Sequence, residues 1–224
     1  MKNRLFLTLA AVAVGIASQA HGAVSYQPNP VDLNDLDHHV ADTWRIDNIT
    51  VNPATITGAT LTFTNIQNWD SNPNVLHMHL LDTAIYSGVK FFTDTDPNAA
   101  PVTDFADFFD KTTTHNYAQY TDAVSSSTAN HLLANVSFTT TPTTYTYTFT
   151  SGDLAALQAY IANGHDIAFG FDPDCHFYND GITFTIQTAP VPEMATMIPV
   201  MALLAAAVLF EVRRRRAVTV AVKA

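Results

Sequence analysis

Apolar and polar positions alternate with a period of two through much of the interior of this chain, the spacing of strands with one buried face. Ala59, Leu61 and Phe63 are separated by threonines; the pattern recurs in Leu132, Ala134, Val136 and Phe138, in Tyr145, Tyr147 and Phe149, in Ile167, Phe169 and Phe171, and in Ile182, Phe184 and Ile186. In residues 75–81 both alternating sets are partly apolar. Leu76, Met78 and Leu80 form one face and Val75, His77, His79 and Leu81 the other, as expected of an interior strand. Trp44-Arg45-Ile46 and Ile49-Thr50-Val51 are out of phase across Asp47-Asn48, which predicts two half-strands around a bulge. A helical period occurs once, in Leu154, Leu157 and Ile161, after a cap at Ser151 and before Asn163-Gly164.

Between these elements, residues 24–40 read as an extended leader or edge strand, 65–73 as a loop, and 86–130 as long loops with a short strand or helical turn. Residues 139–144, with Pro142, are expected to close a hairpin, and 172–181 to form the loop before the last strand. Many short strands, abundant threonine and a single convincing helix give an all-β fold class: an antiparallel β-sandwich, expected as a jelly roll.

The two ends are of a different kind. Lys2 and Arg4 precede an apolar run to Ile16 and small residues at Ser18, Ala20 and Gly22, the layout of a secretory signal peptide over 1–22. Near the other end, Val191-Pro192-Glu193 leads into an apolar run over 194–210 and then Arg213-Arg214-Arg215-Arg216. That run is at the short end of what spans a bilayer, and the arginines behind it read as a cytoplasmic stop. The expected organisation is therefore a signal peptide, one β-sandwich domain over 23–190, a sorting or membrane segment over 191–216, and a short tail over 217–224.

Setting the ends aside changes the charge picture. Only Arg45, Lys90 and Lys111 remain as basic residues in 23–190, against 18 acidic residues that are all aspartate, which leaves a net charge of −15. Nucleic acid and anionic lipid are disfavoured partners for such a domain. Cations, neutral glycans or plain solubility suit it. The single cysteine, Cys175, offers no internal disulfide, and it follows carboxylates whose field disfavours a thiolate nucleophile. No Gly-x-Ser-x-Gly, His-Glu-x-x-His or phosphate-cradling glycine loop is present.

The densest polar run is Asp172-Pro173-Asp174-Cys175-His176-Phe177-Tyr178-Asn179-Asp180-Gly181. Asp172, Asp174 and Asp180 are candidate oxygen ligands for calcium, although Phe177 and the lack of a closing glutamate exclude an EF-hand. Asp-Pro and Asp-Gly are equally ordinary turn chemistry. His38-His39 in a polar loop reads as a solvated pair. Trp69, Phe91, Phe92, Phe108, Phe109, Tyr117 and Tyr120 are candidates for stacking on sugar rings or for anchoring loops.

The tail resembles the PEP-CTERM sorting signal of Gram-negative bacteria, with Met194 where that family has its second proline. Leu61-Thr62-Phe63-Thr64-Asn65-Ile66-Gln67-Asn68-Trp69, Leu76-His77-Met78-His79-Leu80-Leu81 and Gly170-Phe171-Asp172-Pro173-Asp174-Cys175-His176 are similar to blocks in a family of proteins that carry such tails. The resemblance implies export, an exosortase-type processing enzyme as partner, membrane contact through the C-terminal helix before processing, and residence in the cell envelope or extracellular matrix. It also maps the family's histidines onto His79 and His176. If their strands are neighbours, these two would share a site with Asp172 or Asp174 suited to zinc. The expectation is an exported non-catalytic sandwich that binds exopolysaccharide, other glycan or calcium; the alternatives are a structural matrix component and a metal-dependent hydrolase.

Overall fold

The structure is a computed structural model that describes residues 22–95, 107–110, 117–125 and 127–189. The signal-peptide and sorting-tail expectations, with Val191, Pro192, Glu193 and the four arginines, lie outside the described residues. Among the described residues no helix is long and apolar enough to cross a membrane.

Among the described residues, ten strands and two α-helices follow in the order β1 (Gly22–Tyr26), β2 (Val40–Ile46), β3 (Ile56–Asn68), β4 (Leu76–Leu81), β5 (Gly88–Thr93), α1 (Tyr117–Ala123), β6 (Asn130–Val136), β7 (Thr143–Thr148), α2 (Ser151–Gly164), β8 (Ile167–Pro173), β9 (Phe177–Tyr178) and β10 (Gly181–Thr188). One sheet has the order β1-β10-β3-β7, with β9 pairing an end of β3, and the other the order β5-β2-β8-β4-β6. Every pairing is antiparallel. With β5 and β9 set aside, the first strand pairs the last, β2 pairs β8, β3 pairs β7, and β4 pairs β6. That is one long hairpin wrapped into two sheets, the jelly roll.

The alternation explains the packing. Ala59, Leu61 and Phe63 of β3 and Ile182, Phe184 and Ile186 of β10 meet Leu76, Met78 and Leu80 of β4 and Phe169 and Phe171 of β8 in one buried core between the sheets. Phe171 and Phe63 cross edge to face at 5.7 Å, as do Phe169 and Phe184 at 4.9 Å. Helix α2 is capped by Thr150 rather than Ser151. The Thr150 hydroxyl accepts from the Asp153 backbone while the Asp153 carboxylate accepts from the Thr150 backbone and from Tyr147 Oη–H.

A second, smaller core covers the outer face of the β5-β2-β8-β4-β6 sheet. Ala41, Leu81 and Ala168 point outward there and are roofed by Phe108, Phe109, Tyr120, Ala123 and Val124. Strand β8 is consequently buried along its whole length.

Three local expectations are corrected. Residues 49–51 do not continue β2: Asn48 takes a left-handed conformation (φ 57°) and Ile49 N–H donates to the His165 carbonyl at 2.8 Å, so the chain turns away. Residues 139–144 do not close a hairpin, because β6 and β7 belong to opposite sheets and the connection between them crosses from one to the other. Residues 65–68 extend β3 instead of starting a loop.

Candidate functional site

Because Leu76, Met78 and Leu80 face inward, His77 and His79 of β4 face the outer side of their sheet, beside the roof formed by residues 107–110. Neighbouring strands supply their partners. Asn135 of β6 sits opposite His77, and its side-chain oxygen lies 2.9 Å from His77 Nδ1. Asn130, at the start of β6, places its oxygen 2.7 Å from His79 Nδ1 while its NH2 donates to the Phe109 carbonyl. That second bond fixes the amide orientation, so His79 Nδ1 carries a hydrogen. The other nitrogens meet carboxylates: His79 Nε2 lies 3.0 Å from Asp107 Oδ2 and His77 Nε2 lies 3.2 Å from Asp174 Oδ1. Asp107 is also 3.7 Å from His77 Nδ1, so one carboxylate stands between two rings.

These neighbours set the protonation states. Burial alone would push His77 down, but the Asp174 bond and the Asp107 charge outweigh it and hold the ring above the ordinary imidazole value. Burial would raise Asp107, yet its bond to His79 and the charges of His79 and His77, helped by the Phe109 N–H, bring it below the usual carboxylate range. Under the roof, Asp172 behaves in the opposite way. It points outward from β8, accepts from Phe108 N–H at 2.6 Å, and is pushed well above the carboxylate range by burial and then by the charge of Asp94. Burial and a like charge both favour the neutral carboxyl at this position.

His79, Asp107, Phe109, Asp110, Asn130, Leu132 and Asn135 line a cleft of about 360 Å³. Its polar groups converge around Leu132, which is exposed. Phe109 lies beneath, 5.7 Å from the His79 ring, and its own ring rests on Gly170 of β8.

The residues singled out in the sequence are divided among several places. Asp172 and Asp174 are two apart on or just after β8, but Asp172 is buried under the roof and Asp174 reaches His77. Asp180 accepts from Asn65 Nδ2 at 2.6 Å, in a depression lined by Asp35, Gln67 and Asn179. His176 lies apart from the His79 network. Its Nδ1 is 2.9 Å from Asp37 Oδ1, the same oxygen that His38 Nδ1 approaches at 2.9 Å. Cys175 accepts from the Trp69 indole N–H at 2.9 Å. The loop's three aspartates thus take different partners.

Sequence reasoning missed His77, Asp107, Asn130, Asn135 and Asp37. His77 shares its spacing with His79, and the Asn-x4-Asn interval on β6 is visible in the sequence, but only strand pairing shows that it answers His-x-His. Of the aromatic candidates, Phe108, Phe109 and Tyr120 are buried as anchors, whereas Trp69 and Phe91 are exposed. No protein-family model matches the chain, and no curated protein matches it.

Proposed function

We propose that this chain is an exported, non-catalytic β-sandwich binding module acting in the cell envelope or extracellular matrix, and that the cleft beside His79 takes a neutral, polyhydroxylated ligand such as a glycan. The observation that carries the reading is the cleft itself: carboxylate and amide groups of Asp107, Asp110, Asn130 and Asn135 surround the exposed apolar side chain of Leu132. Sugars present hydroxyls and C–H patches to such a surface, and few precisely placed polar groups suffice to orient them. The non-catalytic part is supported by the occupied histidines. Both nitrogens of His77 and of His79 already meet an amide oxygen or a carboxylate, so neither ring is a free base.

A glycan array tests this reading, run with and without calcium. Retention of a neutral glycan, reduced about tenfold or more by Asn135→Ala or Leu132→Asp in a protein that melts normally, is expected. Absence of any retained glycan in both calcium arms would remove the binding reading and leave a structural matrix role.

Export and processing through residues 191–216 belong to the same proposal, supported by the similarity of Val191-Pro192-Glu193, the apolar run and Arg213 to Arg216 to a PEP-CTERM signal. Mass spectrometry of the protein recovered from its native cells should find a C-terminus near the Val-Pro-Glu motif. A terminus at Ala224 would refute exosortase-type processing.

A further inference from the structure

We propose that Asp37, His38 and His176 form a binding site for a divalent transition metal of the zinc class, separate from the cleft and independent of the glycan reading. One ligand atom each of Asp37, His38 and His176 lies within 4.8 Å of the others, and Nδ1 of both rings is 2.9 Å from Asp37 Oδ1. Ligand atoms around a tetrahedral zinc ion, bound at about 2.0–2.2 Å, are separated by roughly 3.4 Å. The two nitrogen–oxygen separations therefore need to widen by about half an ångström, while the two histidine donors, within 4.8 Å of each other, settle to the same spacing.

The fold holds this arrangement together. The donors come from two segments 139 residues apart, and Phe177 N–H donates to the Leu36 carbonyl at 3.2 Å, crossing the segments directly beside His176 and Asp37. The His176 ring packs against Tyr178 at 4.5 Å, and the His38 ring against His39 at 4.4 Å, where His39 takes a left-handed turn conformation (φ 61°). Little chain entropy remains to be lost on binding, because the backbone crossing already exists. Two imidazoles and one carboxylate, partly exposed, leave a fourth position for water, and this mixed donor set favours zinc over calcium or magnesium.

The same geometry limits the affinity. Among the described residues His176 Nε2 is buried without a hydrogen-bond partner, so they give the ring no outer acceptor of the kind that raises the basicity of a metal-bound histidine. Such partners typically account for about ten- to a hundredfold in affinity, so the site should bind more weakly by about that factor than one whose histidines are fully supported.

The test is calorimetric titration of the chelator-treated, full-length chain with zinc chloride. One ion per chain is expected, with binding weakened about a hundredfold by Asp37→Asn or His176→Ala and unaltered by His79→Ala. Because His176→Ala removes a packed ring, His38→Ala at an exposed position supplies a second variant. Nitrogen-15 spectra of the histidine rings supply a second readout: Nδ1 of His38 and His176 should shift on titration while those of His77 and His79 do not. No stoichiometric zinc, or binding that survives His38→Ala and His176→Ala but is lost in His79→Ala, would overturn the proposal.

Discussion

Replacing Asp172 by alanine should lower the unfolding free energy by about 3 kcal/mol, whereas replacing it by asparagine should leave stability unchanged or improve it. Asp172 Oδ2 accepts the Phe108 backbone N–H beneath the roof of the second core, where no water replaces it. Alanine leaves that donor orphaned and opens a void under Phe108 and Phe109. Asparagine is nearly isosteric. Its oxygen keeps the bond to Phe108, and it brings no ionisable group into the buried site beside Asp94.

The pH dependence separates these effects. Burial and Asp94 raise the folded-state value of Asp172 above its unfolded one. The native state therefore binds more protons than the unfolded chain between those two values, and stability falls as pH rises through that window. The contribution is most favourable below the unfolded carboxylate range near about pH 4 and is lost by the time pH exceeds the folded value. Urea denaturation at a series of pH values from acid to neutral should show wild type losing stability relative to Asp172→Asn as pH rises. Parallel curves, or equal losses for the alanine and asparagine variants, would contradict a raised folded-state value of Asp172.

Why Asp172 behaves so differently from its neighbour Asp174 was not visible in the sequence. Both belong to one polar run, and local chemistry makes them interchangeable ligands. What separates them is β8, which continues through Pro173 and turns Asp172 toward the roof, with Asp174 just beyond the strand end. The part of the roof above it is residues 107–110, from a stretch without any period, so nothing local announces that Phe108 and Phe109 cover β8. The alternating strands, by contrast, were legible because a period of two fixes which side of a sheet each residue faces. Leu76, Met78 and Leu80 reach the core as their spacing predicts, and the same spacing puts His77 and His79 outside together. Sheet switching was the opaque step. Thr-Pro near residue 142 looks like a hairpin turn whether the next strand pairs its predecessor or crosses to the other sheet, and in a jelly roll it crosses. Asp37 and His176 are hidden for the same reason, since only the wrapped topology brings the start of the domain against the loop before its last strand.

The roof also makes a specific demand on β8, and Gly170→Ala tests it. A Cβ at residue 170 would lie 2.9 Å from three carbons of the Phe109 ring, closer than such contacts occur, and Phe109 is itself fully buried against Phe108 and His79. The ring cannot swing into solvent, so it must lift from the sheet. Overpacking of this kind costs about 1–3 kcal/mol, against a gain of about 0.5–1 kcal/mol from replacing glycine within a strand. The net expectation is a loss of about 1–2 kcal/mol by thermal or urea unfolding. Lifting Phe109 also moves its carbonyl, which holds the Asn130 amide and through it the His79 ring. Gly170→Ala should therefore weaken any glycan retained at the cleft even at temperatures where the protein stays folded. Combining it with Phe109→Leu, which clears the ring from above residue 170, should recover part of the stability. If the double variant is no more stable than the sum of the two single losses, contact between residue 170 and the Phe109 ring is not what requires glycine on this strand.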